Sequence, residues 1–179
     1  MKKGGVGGRS PWHQDTSYLP WDGDHWANAW ISFEAVPKAN SLEIVRGSHR
    51  GVLHDGTDFR DANDPTAPLH GGGALPRLHD IEAERKINPD SYDVLSWATE
   101  PGDVVILHPG NLHGGGLVDE EFTERHTLVL RFFGDDATFR SLPTHSDSGY
   151  TTAGFLFVEH LKNLEDGDPF RAPCFTQLR

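Results

Sequence analysis

At 179 residues the chain has the length of one ordinary domain, enough to bury a sizeable core. Its 27 acidic residues against 16 Lys and Arg leave a net charge of −11, which disfavours nucleic acid or any partner held mainly through phosphates. No apolar run approaches the roughly 20 residues that a membrane-spanning helix requires, there is no signal-peptide pattern, and the single cysteine, Cys174, cannot form an internal disulfide, which suits a reducing, cytoplasmic setting.

Twenty glycines and twelve prolines punctuate the chain and predict many short strands with tight turns. Met1 to Ser10 reads as a loop or a frayed strand, and Pro11 to Asp15 as a short extended segment. From His25 to Val36 the residues alternate: Trp26, Asn28, Trp30 and Ser32 share one face, and Ala27, Ala29, Ile31 and Phe33 the other. Ser41 to Val45 is a short strand closed by the turn-like Arg46-Gly47-Ser48-His49. Residues 50–90 are polar and rich in Gly, Pro and Asp, and predict an insertion or lid with a helical turn over Ile81–Lys86. Strand signals return over Tyr92–Trp97 and Val104–His108, separated by the turn Pro101-Gly102-Asp103. The turn Pro109-Gly110-Asn111 leads into Leu112-His113, and Arg125–Phe133 alternates again, with Arg125, Thr127, Val129 and Arg131 on one face. Phe155–Leu164 reads as a short helix. This pattern predicts a single all-β domain over 1–179, a barrel or jelly roll with few short helices.

The chemistry concentrates in three places. His13 and Asp15 lie two apart in an extended segment, so both side chains leave one face and can reach one metal ion. His113 follows 98 residues after Asp15 as a third candidate ligand, and two histidines with one carboxylate form the set that non-haem Fe(II) uses while keeping positions open. On spacing alone, chance pairing among eleven histidines competes with this reading. Arg125, with Thr127 two positions on, suits bidentate capture of a carboxylate; a surface ion pair with Glu121 or Glu124 explains it equally well. Gln14 points away from the metal face as a supporting residue. Tyr18 and Trp21 either line a pocket or pack, Arg131 forms a structural ion pair or meets an anionic substrate, and His108 is buried nearby without being a ligand.

Taken together these segments resemble the phytanoyl-CoA dioxygenase family of Fe(II)- and 2-oxoglutarate-dependent hydroxylases. The resemblance rests on Trp12-His13-Gln14-Asp15 with Tyr18, on Ser41 through Arg50, on Glu100-Pro101-Gly102-Asp103-Val104-Val105, and on His113-Gly114-Gly115-Gly116 leading to Arg125 and Phe133-Gly134-Asp135-Asp136. It implies a double-stranded β-helix of the jelly-roll, cupin-like kind, with iron on His13, Asp15 and His113. It further implies that Arg125 pairs with the distal carboxylate of 2-oxoglutarate, with Trp30 against that co-substrate and O₂ as the second one. The implied reaction hydroxylates an unactivated C–H bond of a small organic molecule and releases succinate and CO₂. Related halogenases lack the metal carboxylate; Asp15 is present, so hydroxylation is expected.

With twelve residues ahead of His13, an N-terminally shortened form of that family is expected. The outward faces Ala27-Ala29-Ile31-Phe33 and Leu128-Leu130-Phe132 are apolar and lack a covering layer, so self-association through an uncovered sheet is expected. The competing readings are an inactive metal- or small-molecule-binding barrel of the same descent, and a metal-dependent isomerase or hydrolase on a cupin-like barrel, which has no need of Arg125.

Overall fold

The computed structural model describes residues 2–3, 9–59, 61, 63–118, 124–142 and 161–178. The strands there are β1 (Lys2–Lys3), β2 (Ser10–His13), β3 (Trp21–Asp22), β4 (Trp26–Ser32), β5 (Leu42–Val45), β6 (Val94–Leu95), β7 (Val104–Leu107), β8 (His113–Gly115), β9 (Glu124–Arg125), β10 (Thr127–Phe133) and β11 (Thr138–Phe139). A three-stranded antiparallel sheet runs β10-β4-β7 and a four-stranded one β2-β8-β5-β6, with β11-β3 and β1-β9 as short pairs. The chain passes back and forth between the two larger sheets, which makes the architecture the expected all-β double-stranded β-helix. The α-helix α1 (Ile81–Ile87) falls where a helical turn was expected; the Asp80 carboxylate accepts from Ala83 N at 3.0 Å, and Arg85 and Lys86 sit in the last turn, favourable against the helix dipole.

Cross-strand register explains the alternation read from sequence. Asn28 stands opposite Arg131 on one side and Leu107 on the other, and Trp30 opposite Val129 and Val105. Trp26, Asn28, Trp30 and Ser32 are all buried. On the other face Ala29 is shielded, whereas Phe33 is 56% exposed and Ile106 70%, with Val104, Leu128, Leu130 and Phe132 also exposed. The outer face of the three-stranded sheet is thus apolar and open among the described residues.

Several expected boundaries shift. The strand expected from Arg125 is interrupted at His126, whose N–H donates to Glu34 Oε2 at 3.0 Å, so Arg125 lies on β9 and pairs with β1 instead. Residues 50–80 are fastened to the segment that follows β2. The Tyr18 hydroxyl accepts from Thr57 N at 2.6 Å and donates to Thr57 O at 2.8 Å, and Thr57 Oγ1 donates to Trp12 O at 3.0 Å. Leu78 and Ile81 then join Trp12, Val45 and Leu112 in one buried cluster. A second cluster of Leu19, Trp21, Trp26, Ala137, Leu161 and Phe170 gathers around the β3–β11 pair. The helix expected over Phe155–Leu164 falls mostly outside the described residues; of its last residues, Leu161 is 3-10 helical and 162–163 form a turn.

Burying a large apolar side chain is worth about 1.5–3 kcal/mol, so the open outer face carries a local cost. Replacing Phe33 and Ile106 together with Thr is expected to lower binding of an apolar fluorescent dye and any self-association seen by ultracentrifugation, with circular dichroism unchanged. Equal dye binding in the double variant would show that the face is covered in solution.

Candidate metal centre

The two histidines meet because their strands pair. His13 closes β2 and His113 opens β8 directly opposite it, with ring centroids 4.2 Å apart. Close approach of β8 is what its glycines permit: a Cβ on Gly114 would lie 3.1 Å from Ser10 O and 3.2 Å from Pro11 O. Asp15 arrives differently from the expectation. The strand ends at His13, and Asp15 begins a 3-10 turn (Asp15–Ser17) with its N–H donating to Pro109 O at 2.8 Å. A turn, rather than strand parity, therefore brings the carboxylate to the histidines.

Each imidazole is oriented in the same way. His13 Nδ1 lies 2.9 Å from Pro11 O, and His113 Nδ1 lies 2.8 Å from Asn111 O. A carbonyl only accepts, so Nδ1 carries a hydrogen in both rings, and Nε2 of each ring is turned inward toward Asp15. His13 Nε2 is 3.3 Å and His113 Nε2 3.7 Å from Asp15 Oδ1, and one ligand atom from each of the three residues lies within 4.8 Å of the others. The other carboxylate oxygen, Oδ2, accepts from Asn28 Nδ2 at 2.7 Å and Arg131 Nη2 at 3.2 Å.

Electrostatics keep these groups in ligand form. Burial works to raise the Asp15 carboxyl, but the hydrogen bond from His13 and the charges of His113, His13 and Arg131 outweigh it and hold Asp15 well below the usual carboxylate range. Burial pushes His113 down to about 4, helped by His13 and opposed by Asp15. At neutral pH His113 is thus an uncharged ring facing an ionised carboxylate, both buried. A buried carboxylate facing two imidazole nitrogens calls for positive charge between them, and a bound cation supplies it. The donor set fits a divalent transition metal, with the carbonyl partners of Nδ1 as its outer support.

Arg125 lies along β8 beyond His113. Its Nη1 donates to Asn40 O at 2.7 Å and Nη2 to Gly116 O at 3.0 Å, while Nε is buried without a partner among the described residues. Its Cζ sits 5.8 Å from the centre of the Trp30 ring. Burial lowers the Arg125 pKa and Glu34 opposes that shift. The guanidinium is buried rather than at the surface, and the ion-pair partners expected for it, Glu121 and the Glu124 side chain, lie outside the described residues. Thr127, half-buried, stands opposite Ser32 at the start of β10.

The remaining candidates separate cleanly. Gln14 Nε2 donates to Gly110 O at 2.8 Å and Val52 O at 3.2 Å, and its Oε1 accepts from His54 N at 2.9 Å, bracing the loops around the site. Tyr18 stands edge-on to His13 and stacks on Phe59, whereas Trp21 packs in the distal cluster. His108 lies tilted against His49 and Trp26, accepts from Gly110 N and is not among the ligand atoms. Phe59, whose ring is 5.0 Å from that of His13, escaped the sequence reading because one aromatic in a polar segment carries no periodic signal. Asn28 was placed on the inner face by its parity, but its contact with Asp15 has no signature in sequence.

A jelly roll with a two-histidine, one-carboxylate ligand set in its interior defines a class of mononuclear metal proteins. Residues 1–119, well over half of the chain, match the family described as phytanoyl-CoA dioxygenase (PhyH), and the chain belongs to that family. The probable phytanoyl-CoA dioxygenase of Caenorhabditis elegans is 33% identical over 112 residues, covering 60% of this chain and 31% of that protein. The chain therefore spans about a third of that relative's length. Among solved structures, the alpha-ketoglutarate-dependent carbocyclase SnoK from nogalamycin biosynthesis superposes with a TM-score of 0.57 at 21% identity, covering 96% of this chain and 56% of that one. The epimerase SnoN, solved with Fe³⁺, alpha ketoglutarate and nogalamycin RO, gives 0.57 at 17% identity and covers 96% and 59%. These two likenesses establish the shared fold. No helix among the described residues is long and apolar enough to cross a membrane.

The depressed His113 predicts how the metal-free chain responds to acid. Between pH 6.5 and about 4 the unfolded state binds a proton that the folded state does not. The His113 contribution is therefore fully present above pH 6.5 and is lost as pH falls through about 4. In chelator, the melting temperature should fall over this window, and His113→Leu should flatten that part of the profile; an equally steep profile in the variant would assign the dependence to other groups.

Proposed function

We propose that the chain is an Fe(II)- and 2-oxoglutarate-dependent oxygenase that hydroxylates a C–H bond of a small organic molecule, with O₂ consumed and succinate and CO₂ released. The observation that carries the reading is the convergence of His13 Nε2, Asp15 Oδ1 and His113 Nε2 on one point in the barrel. Iron bound there would supply O₂ activation, which no side chain can provide. The protein's part is to hold, orient and keep dry.

In this reading His13, Asp15 and His113 hold the metal by three ligand atoms and leave the other positions to co-substrates. Arg125 takes the distal carboxylate of 2-oxoglutarate: its Nε is a buried donor in need of an acceptor, and burial strengthens a charge-assisted pair. Trp30, beneath the Arg125 guanidinium, forms the apolar wall for the carbon chain, and Thr127 offers a hydroxyl at the same end. Tyr18 and Phe59 line the opposite side, against His13, where they would exclude water from the substrate.

The direct test is anaerobic addition of Fe(II) and 2-oxoglutarate, watching for the visible charge-transfer band of the chelate. His113→Ala should abolish it. Arg125→Ala should leave metal binding in place and weaken 2-oxoglutarate by roughly 10- to 100-fold, the worth of a charge-assisted hydrogen-bonded pair. A folded chain with no band would favour the inactive barrel, and indifference to Arg125→Ala would favour an isomerase or hydrolase. Gly116 gives an independent check on the arginine. Its φ is +72°, and a Cβ there would meet Arg125 Nη2 at 2.7 Å, so Gly116→Ala should displace the guanidinium and weaken 2-oxoglutarate while sparing Fe(II) affinity.

A further inference from the structure

The second oxygen of Asp15 has its own architecture. Asn28 and Arg131, which both donate to Oδ2, occupy the same register position on the inner face, one on β4 and one on β10, so the three-stranded sheet delivers them as a pair. Asn28 is buried and spends its Nδ2 here. The Arg131 side chain is 36% exposed and could be satisfied by water; it is instead turned onto a carboxylate only 12% exposed. The two oxygens of Asp15 therefore face different partners: Oδ1 the imidazole Nε2 atoms, Oδ2 the two donors.

We propose that Arg131, together with Asn28, is a positioning residue that keeps Asp15 a one-oxygen ligand. The inference rests on the metal reading above and concerns how many positions the site leaves free. A carboxylate can bind a metal through one oxygen or through both. With both, two imidazole nitrogens, two carboxylate oxygens and a chelating 2-oxo acid fill all six positions of an octahedron, and none is left for O₂. With Oδ2 occupied by Asn28 and Arg131, one position stays open. Nothing in the ligand set itself prevents Oδ2 from swinging inward; the donors on the sheet do.

Charge and positioning predict opposite signs, which makes the idea testable. A guanidinium next to a dication repels it, so if Arg131 acted only through its charge, removing it would tighten metal binding. As a positioning residue its loss should weaken metal binding, by about 10-fold or more, as for other groups that orient metal ligands. The experiment loads the full chain anaerobically with Fe(II), measures affinity, then adds 2-oxoglutarate and nitric oxide as a stand-in for O₂, reading the open position by paramagnetic resonance. Arg131→Met should lose affinity and much of the nitric oxide signal. Arg131→Lys should recover part of both, since an ammonium can still donate to Oδ2 but without the planar fork. Arg131→Gln is a second neutral variant should the Met form fold poorly, with circular dichroism checking each. Fe(II) binding as tight as or tighter than wild type, with an undiminished signal, in both neutral variants would overturn the positioning role and leave the metal centre standing. A wild-type chain that binds no Fe(II) would instead remove the metal centre, and this role with it.

Discussion

Two imidazole nitrogens and a carboxylate oxygen held within 4.8 Å of one another, away from bulk water, form an arrangement that a protein must enforce. The enforcement here is backbone. β2 and β8 pair so that His13 and His113 are cross-strand neighbours, carbonyls of Pro11 and Asn111 turn the rings, and Pro109 O fixes the start of the turn that carries Asp15. Side chains then brace that backbone from outside. Trp12, between Pro11 and His13, is buried and donates from Nε1 to Glu82 at 2.7 Å, tying the strand to α1. Gln14 ties the next position to the loops at Val52 and Gly110. Four consecutive residues thus alternate between support and chemistry, each held by a different part of the fold.

The three-stranded sheet supplies the complementary wall, and its pleat sorts roles by depth. Successive inward rows are spaced by two residues, about 6.6 Å along a strand. The row of Leu107, Asn28 and Arg131 lies beside Asp15, the row of Val105, Trp30 and Val129 comes next, and Ser32 with Thr127 follows at the end nearest Arg125. Polar donors, an apolar wall and a buried cation therefore succeed one another along one face. A ligand with a chelating end, a short carbon chain and a far carboxylate would meet each in turn, which is why the proposed co-substrate suits the barrel as a whole and not only the metal. The opposite face of the same sheet has no such order: its exposed side chains are uniformly apolar, as expected of a surface meant for packing.

The segment after β5 shows how a polar, turn-rich stretch can still be structural. Asp55 accepts from His70 N and Gly72 N, Tyr18 and Thr57 exchange two hydrogen bonds, and Leu69 is buried. These contacts bring Phe59 against His13 and place an aromatic wall where a substrate would lie. The Asp55 carboxylate satisfies backbone groups at the turns of this stretch, and Thr57, through Trp12 O and the Tyr18 hydroxyl, fastens it to the barrel.

The sequence by itself determined what local chemistry and period can encode. The two-residue alternation over Trp26–Ser32 named the inner and outer faces, glycine and proline marked the turns, Ile81–Lys86 read as a helical turn, and the resemblance of the motifs to a known family pointed to His13, Asp15, His113 and Arg125. Only the tertiary structure decided how these pieces meet. It replaced strand parity by a turn at Asp15, broke the last strand at His126 to bury Arg125, set Asn28 and Arg131 on the far oxygen of the carboxylate, and brought Phe59 to the histidine. Each of these contacts joins residues from 13 to 116 positions apart or depends on a hydrogen bond that stops a local pattern. Such contacts leave no periodic trace in the chain, because their partners are chosen by cross-strand register and by the buried donors and acceptors left over once the strands have paired.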